Sequence, residues 1–160
     1  MKSILAVCFS LMFLSFQNFS ELREKYHQAS KSKGNAEKFY EYVQKMNSES
    51  AVIIAYKGAG TLLVSRFATN KEKRKEQFQS GVKMVEQAVA KETNNVEIRL
   101  VRLSIQENTP KFLKYKANIE EDKKVIMQNF NRQNAGLKDY IQKYVAQSKV
   151  FTEVEKAKLN

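Results

Sequence analysis

The chain has one cysteine, one histidine, one proline, five glycines and no tryptophan. Each shortage closes off a class of protein. With Cys8 alone, neither an intramolecular disulfide nor a thiolate-built metal site can form. Zinc takes three or four His, Cys or carboxylate ligands, and a single histidine, His27, leaves that set short. A Ser-His-Asp arrangement would have to use the same His27, in the charged stretch "REKYHQAS" near the start of the chain. A mobile terminus is a poor place to hold a general base within hydrogen-bond reach. The proline, Pro110, and the few glycines cannot punctuate a many-stranded β protein. No catalytic residue, metal or cofactor is expected on these grounds.

What is present begins with "MKSILAVCFSLMFLSFQNFSE": one lysine, then an apolar run over residues 4–16 broken only by Ser10 and Ser15, then polar residues. This is the pattern of a signal peptide, with cleavage between Ser15 and Ser20. The run falls short of the roughly 20 residues needed to span a bilayer, so no transmembrane span is expected to remain. "LAVC" looks like a lipoprotein box, but it lies too near Met1 for an apolar core to precede it. The expected organisation is a signal peptide over 1–19 and one helical domain over 20–160. Removal of the leader takes Cys8 with it and leaves stability to a core that buries roughly two thirds of the unfolded surface. The expected location is exported, either periplasmic or secreted.

Charge is the resource in excess: 28 Lys and Arg stand against 17 Asp and Glu, for a formal +11. A basic surface favours anionic partners, although lysines interleaved with glutamates also make ordinary solvated helix faces. Helical spacing recurs along the chain. Phe39, Tyr42, Val43 and Met46 fall on one face, with Gly34 and Asn35 expected as break and cap. Residues 51–64 are apolar or small on nearly every side, which marks a buried helix at the centre of the fold. Ala51, Ala55 and Ala59, beside Gly58 and Gly60, make a stripe that lets a neighbouring backbone approach. "KGAGT" within it has neither a following GK[ST] nor dinucleotide-binding spacing, so it is no phosphate loop. Phe78, Gly81, Val82, Val85, Ala88 and Val89 form the docking stripe of another helix, whose first turns carry Lys71, Lys73, Arg74 and Lys75.

"VEIRLVRLSIQ", residues 96–106, reads locally either as an alternating strand or as a helix. Asn94 or Asn95 before it is a helix cap, Thr109 and Pro110 after it start another helix, and a lone strand would have no partner. It is therefore expected to be helical. Asn118 with Glu121 offers a capping-box variant for the next helix; Leu137, Tyr140, Ile141, Tyr144 and Val145 mark one more. Thr152 with Glu155 caps the last, where Phe151 and Val154 can dock. The fold class is all-α: seven or eight short antiparallel helices, stacked as hairpins or as an irregular bundle.

"VEQAVAKETNNVEIRLVRL" resembles the passage from one tetratricopeptide unit into the next, through Ala88 and the turn at Thr93, Asn94 and Asn95. Thr93 stands where that family has proline, and no second copy follows at a period of about 34. The resemblance implies stacked helical hairpins. "SFQN" together with "NNVEIRLVRLSIQENTPKFLKYKANIEEDK" is similar to small secreted Bacteroidota proteins of no assigned activity, which implies an envelope location and supplies no catalytic residue.

Two clusters remain as candidate sites. Arg99 and Arg102, three apart on the polar face of their helix, continue through Gln106 to Lys111, Lys114, Tyr115 and Lys116. In a helical stack such a row could line a concave surface for an acidic protein or polysaccharide. Nucleic acid is the least expected partner: Phe112 and Tyr115 interleave with lysines, but no nucleic-acid module is present. The second cluster is Glu120, Glu121 and Asp122, the nearest candidates for a carboxylate-dependent glycan hydrolase. Acids in a first helical turn are also expected simply from the helix dipole. The expected function is a non-enzymatic scaffold that binds an anionic partner, with the hydrolase as the alternative.

Overall fold

A computed structural model describes residues 19–47 and 49–159, and among these it contains eight helices and no strand. Residues 1–18, which hold Cys8 and nearly all of the segment 1–19 expected as a signal peptide, lie outside the described residues. We number the helices in chain order: α1 (19–29), α2 (Lys33–Gln44), α3 (Ala51–Ser65), α4 (Lys71–Lys91), α5 (Val96–Asn108), α6 (Ile119–Asn129), α7 (Ala135–Gln147) and α8 (Glu153–Ala157). The all-α reading holds, and residues 96–106 are helical. No helix among the described residues is long and apolar enough to cross a membrane.

α3 is the helix with apolar and small residues on every side, and it packs against α2, α4 and α5. Its glycines set how closely those neighbours come. A Cβ on Gly58 would lie 2.8 Å from the Gly81 carbonyl oxygen, and one on Gly81 would lie 2.8 Å from that of Gly58 and 2.6 Å from Leu62 Cγ. Only residues without a Cβ let the α3 and α4 backbones meet at this distance. Gly60 faces Val43 and Tyr40 on α2 in the same way. Ala51, Ala55 and Ala59 are all buried, so the small-residue stripe is an interhelical contact.

α5 is the second enclosed helix. All residues from 96 to 103 are buried, and the helix serves two apolar clusters. Ile98 and Val101 join Leu22, Phe39, Val43 and the α3 residues. Val96, Leu100 and Leu103 join Ile126, Phe130, Leu137, Ile141, Val145, Phe151 and Leu159. A helix covered all round has no free face for its polar residues, so its arginines must find partners indoors.

Several local expectations need correcting. α2 starts earlier than Gly34 and Asn35 suggested, because Ser32 is the cap and accepts from the Asn35 amide. Pro110 opens only a single 3₁₀ turn, Lys111–Leu113, closed by Lys114 in the left-handed region at φ 53. Asn118 does not cap α6, since its side-chain oxygen accepts from Gln106 instead. Val154 is exposed and does not dock, whereas Phe151 does. The Thr152 and Glu155 capping box is formed, and Asn95 caps α5 by accepting from both Glu97 and Ile98.

Candidate functional site

The polar face of α5 meets the N-terminal turn of α6. Both candidate clusters fall in this contact, and each is the partner of the other. Arg99 is 1%, Arg102 3%, Gln106 0% and Asp122 0% exposed. Asp122 is the hub: one carboxylate oxygen accepts from Arg99 Nη1 at 2.8 Å and Arg102 Nη2 at 2.7 Å, the other from Arg102 Nε at 2.8 Å. The Arg102 pairing is bidentate, the geometry that suits a planar guanidinium to a carboxylate.

Further guanidinium hydrogens are committed to other partners. Arg99 Nε donates to the Thr93 carbonyl at 2.7 Å, and its Nη1 donates to Glu121 at 2.7 Å. Arg102 Nη1 donates to Glu86 on α4 at 2.8 Å, and the Tyr115 hydroxyl donates to the other Glu86 oxygen at 2.6 Å. Gln106 donates to the Asn118 side chain and accepts from the Asn118 backbone amide, both at 3.2 Å. Lys116 closes the end of α5 by donating to the Gln106 and Glu107 carbonyls. The network ties α4, α5, the connector and α6 together.

Charge within it is strongly held. Burial works against the Arg102 cation, but the bonds and field from Asp122 and Glu86 outweigh it and raise its pKa. Glu121 is pushed below the usual carboxylate range, first by its bond from Arg99 and then by that from Asn118. Burial and the neighbouring Glu86 carboxylate both hold the Tyr115 phenol protonated.

Arg99, Arg102 and Gln106 therefore do not line an open surface, which corrects the expectation from the sequence. The residues opposite the α5 polar face are α6 carboxylates rather than water. Tyr115 is half-buried, with its ring edge-on to Phe78 at 6.4 Å. Of the expected row, only Lys111 and Lys114 remain exposed. The carboxylates are equally spoken for: Asp122 is enclosed, Glu121 is tied to Arg99, and Glu120 stands exposed beside Lys123 at 3.2 Å. Surface depressions of 470 Å³ and 270 Å³ are lined by other residues: the first by Lys25, Lys38 and Tyr42 among others, the second by Arg23, Asn94, Glu97 and Gln133 among others. No group of three His, Cys, Asp or Glu among the described residues is arranged to hold a metal ion.

A second buried cluster went unseen in the sequence. Arg23 on α1 clasps Glu97 with bonds of 2.8 and 2.7 Å, and the Tyr56 hydroxyl donates to the same carboxylate at 2.9 Å. Burial, then the Glu97 charge, raises the Tyr56 pKa well above its ordinary value. Burial pushes Tyr26, which is bonded to Ser104, up to about 12. Nothing at short range in the sequence points to a pairing between residues 23 and 97. For the α5–α6 network a signal did exist: arginines on one helix and three acids in the first turn of the next.

Exposed basic side chains occur throughout the described residues, with one concentration in the first turns of α4. Arg102 on α5 reaches Glu86 on α4, and Tyr115 beyond α5 meets Phe78. These pairings run α4 and α5 as an antiparallel hairpin and bring the connector after α5 beside the stretch of α4 from Phe78 to Glu86. The basic end comprises the first turns of α4, with Lys71, Lys73, Arg74 and Lys75, Arg66 in the turn before them, and Lys111 and Lys114 on the connector that packs farther along α4. Among the described residues none of these seven has a carboxylate partner, and Arg74 donates only to the Ala68 carbonyl. Only Glu72 and Glu76 offset them in the first turns of α4. Comparison with protein families, curated proteins and solved structures finds no match to the chain.

Proposed function

We propose that the protein is an exported, non-enzymatic helical scaffold that holds an anionic partner against this basic end. The observation that carries the reading is the group of seven exposed cations without carboxylate partners, offset nearby only by Glu72 and Glu76, whereas Arg99 and Arg102 are consumed internally. The sequence-level candidates at this end are Lys111 and Lys114, and the first turns of α4 extend them. The glycan-hydrolase alternative gains no support from the geometry, because neither depression borders Glu120 or Glu121.

The test is retention on a heparin matrix, a polyanion of defined chemistry. A variant carrying Lys73→Ala, Lys75→Ala, Lys111→Ala and Lys114→Ala should elute at clearly lower salt than wild type with an unchanged circular dichroism spectrum. A control carrying Lys38→Ala and Lys45→Ala, on α2, should shift much less. Equal elution of the four-site variant and wild type overturns the reading. Export is checked by the mass of the native protein, where an intact Met1 would overturn that part.

A further inference from the structure

We propose that the partner at the basic end is the surface of an anionic lipid bilayer, which Phe112 and Leu113 enter. This rests on the basic-end reading above and names its partner.

Charge alone would suit an acidic protein, a polysaccharide or a lipid headgroup equally. The apolar tip favours the lipid surface, which offers both phosphates and an apolar layer at one boundary. Three large hydrophobic side chains are exposed among the described residues, and two of them, Phe112 at 79% and Leu113 at 38%, are consecutive in the connector at this end. They stand on the 3₁₀ turn between Lys111 and Lys114. The turn is closed by bonds from Leu113 N to Pro110 O at 3.1 Å and from Lys114 N to Lys111 O at 3.0 Å.

The turn is held in place on both flanks. Thr109 donates to the Ile105 carbonyl, Tyr115 to Glu86, and Lys116 to the Gln106 and Glu107 carbonyls. Lys114 adopts a left-handed conformation, uncommon for a residue with a side chain, and this closes the turn. The phenyl ring is therefore presented on a fixed projection rather than left on a loose tail.

An aromatic and a leucine flanked by Lys111 and Lys114 have the composition of an interfacial lipid contact. The apolar pair reaches the boundary between headgroups and acyl chains while the cations meet the phosphates. A polysaccharide or nucleic acid gives an exposed leucine nothing to bury against. The contact proposed is a peripheral one, and no helix among the described residues is long and apolar enough to cross a bilayer.

The chain contains no tryptophan, which supplies the test. Phe112→Trp places a single indole at the tip. Its emission should shift to the blue when phosphatidylglycerol vesicles are added, and should not change with phosphatidylcholine vesicles. In sedimentation, wild type should bind the phosphatidylglycerol vesicles, less at high salt. A Phe112→Ser, Leu113→Ser variant should lose about tenfold in partitioning, while its retention on heparin stays that of wild type.

An unshifted indole on bound vesicles, equal binding of the serine variant, or equal binding to neutral vesicles overturns the inference. So does loss of heparin retention by the serine variant, which would make the tip part of a different contact. Wild type that is retained on heparin but ignores vesicles overturns the lipid partner and leaves the basic-end reading standing. Failure on both removes the two together.

Discussion

The α3–α4 and α5–α6 contacts each hold two consecutive helices side by side, with opposite chemistry. The first is built by subtraction. Gly58 and Gly81 remove their side chains, the backbones touch, and Leu62 and Val85 close over the gap. The second is built by pairing, with two guanidiniums gripping one enclosed carboxylate and reaching to two others nearer the surface. The first contact draws on dispersion and apolar burial and is indifferent to sequence beyond size. The second recovers through fixed bonds what its ions lose on leaving water, and only particular partners allow it. The two contacts should therefore fail differently when each is disturbed.

The largest expected effect comes from Asp122→Ala. It leaves two buried guanidiniums without their common acceptor and should cost about 3–5 kcal/mol in denaturant unfolding. Replacing the three buried ions together with apolar residues, as Arg99→Met, Arg102→Leu and Asp122→Leu, should return stability to within about 1 kcal/mol of wild type. Glu86 and Glu121 would be left partly exposed and able to hydrate. A triple variant as unstable as Asp122→Ala would show that the ions contribute net stability rather than selecting which helices pair.

Next in size is Gly81→Ala. On an exposed helix this change stabilises by up to about 1 kcal/mol, because alanine is the better helix former. At this position the new methyl would lie 2.6 Å from Leu62 Cγ and 2.8 Å from a backbone oxygen that cannot turn aside. The sign should reverse, with a loss of about 1–3 kcal/mol and a lower thermal midpoint. A neutral result would mean that α3 and α4 separate without penalty, and that close approach is not what holds them.

The same contrast explains what could be read from residues alone. The small-residue stripe and the all-round apolarity of α3 declare burial whatever the partner turns out to be, so Ala55, Ala59 and Gly58 were legible. The caps of α5 and α8 were legible too, because their bonds span two or three residues. Arg99 and Arg102 were misplaced on the surface because a polar face at helical spacing looks the same whether water or carboxylates lie opposite it. The acids were visible in the next helix, but sequence does not say which way the first turn of α6 points. Arg23 with Glu97 was beyond reach, since 74 positions separate them and only the packing of α1 against α5 brings them together. Lys111 and Lys114 were legible as basic surface, while the packing of their connector against Phe78 of α4 needed the hairpin register.

The smallest expected effect tests whether environment, rather than residue type, sets the strength of an ion pair. Glu121 adjoins Asp122 in sequence and shares the same two arginines, yet its side chain is half-exposed at 52% while that of Asp122 is at 0%. Water screens it, so Glu121→Gln should cost no more than about 1 kcal/mol at neutral pH, against several for its neighbour. The bond from Arg99 lowers the Glu121 pKa in the folded protein. Its contribution is therefore present above the unfolded carboxylate value of about 4.3 and fades as acid carries the pH down through the lower folded value. Unfolding curves of wild type and Glu121→Gln should differ at pH 7 and converge as the pH falls below the lowered folded value. A difference that persists in acid would show that Glu121 acts through packing or its bond from Asn118 rather than through charge, and a loss at neutral pH as large as that of Asp122→Ala would mean that exposure does not weaken this pair.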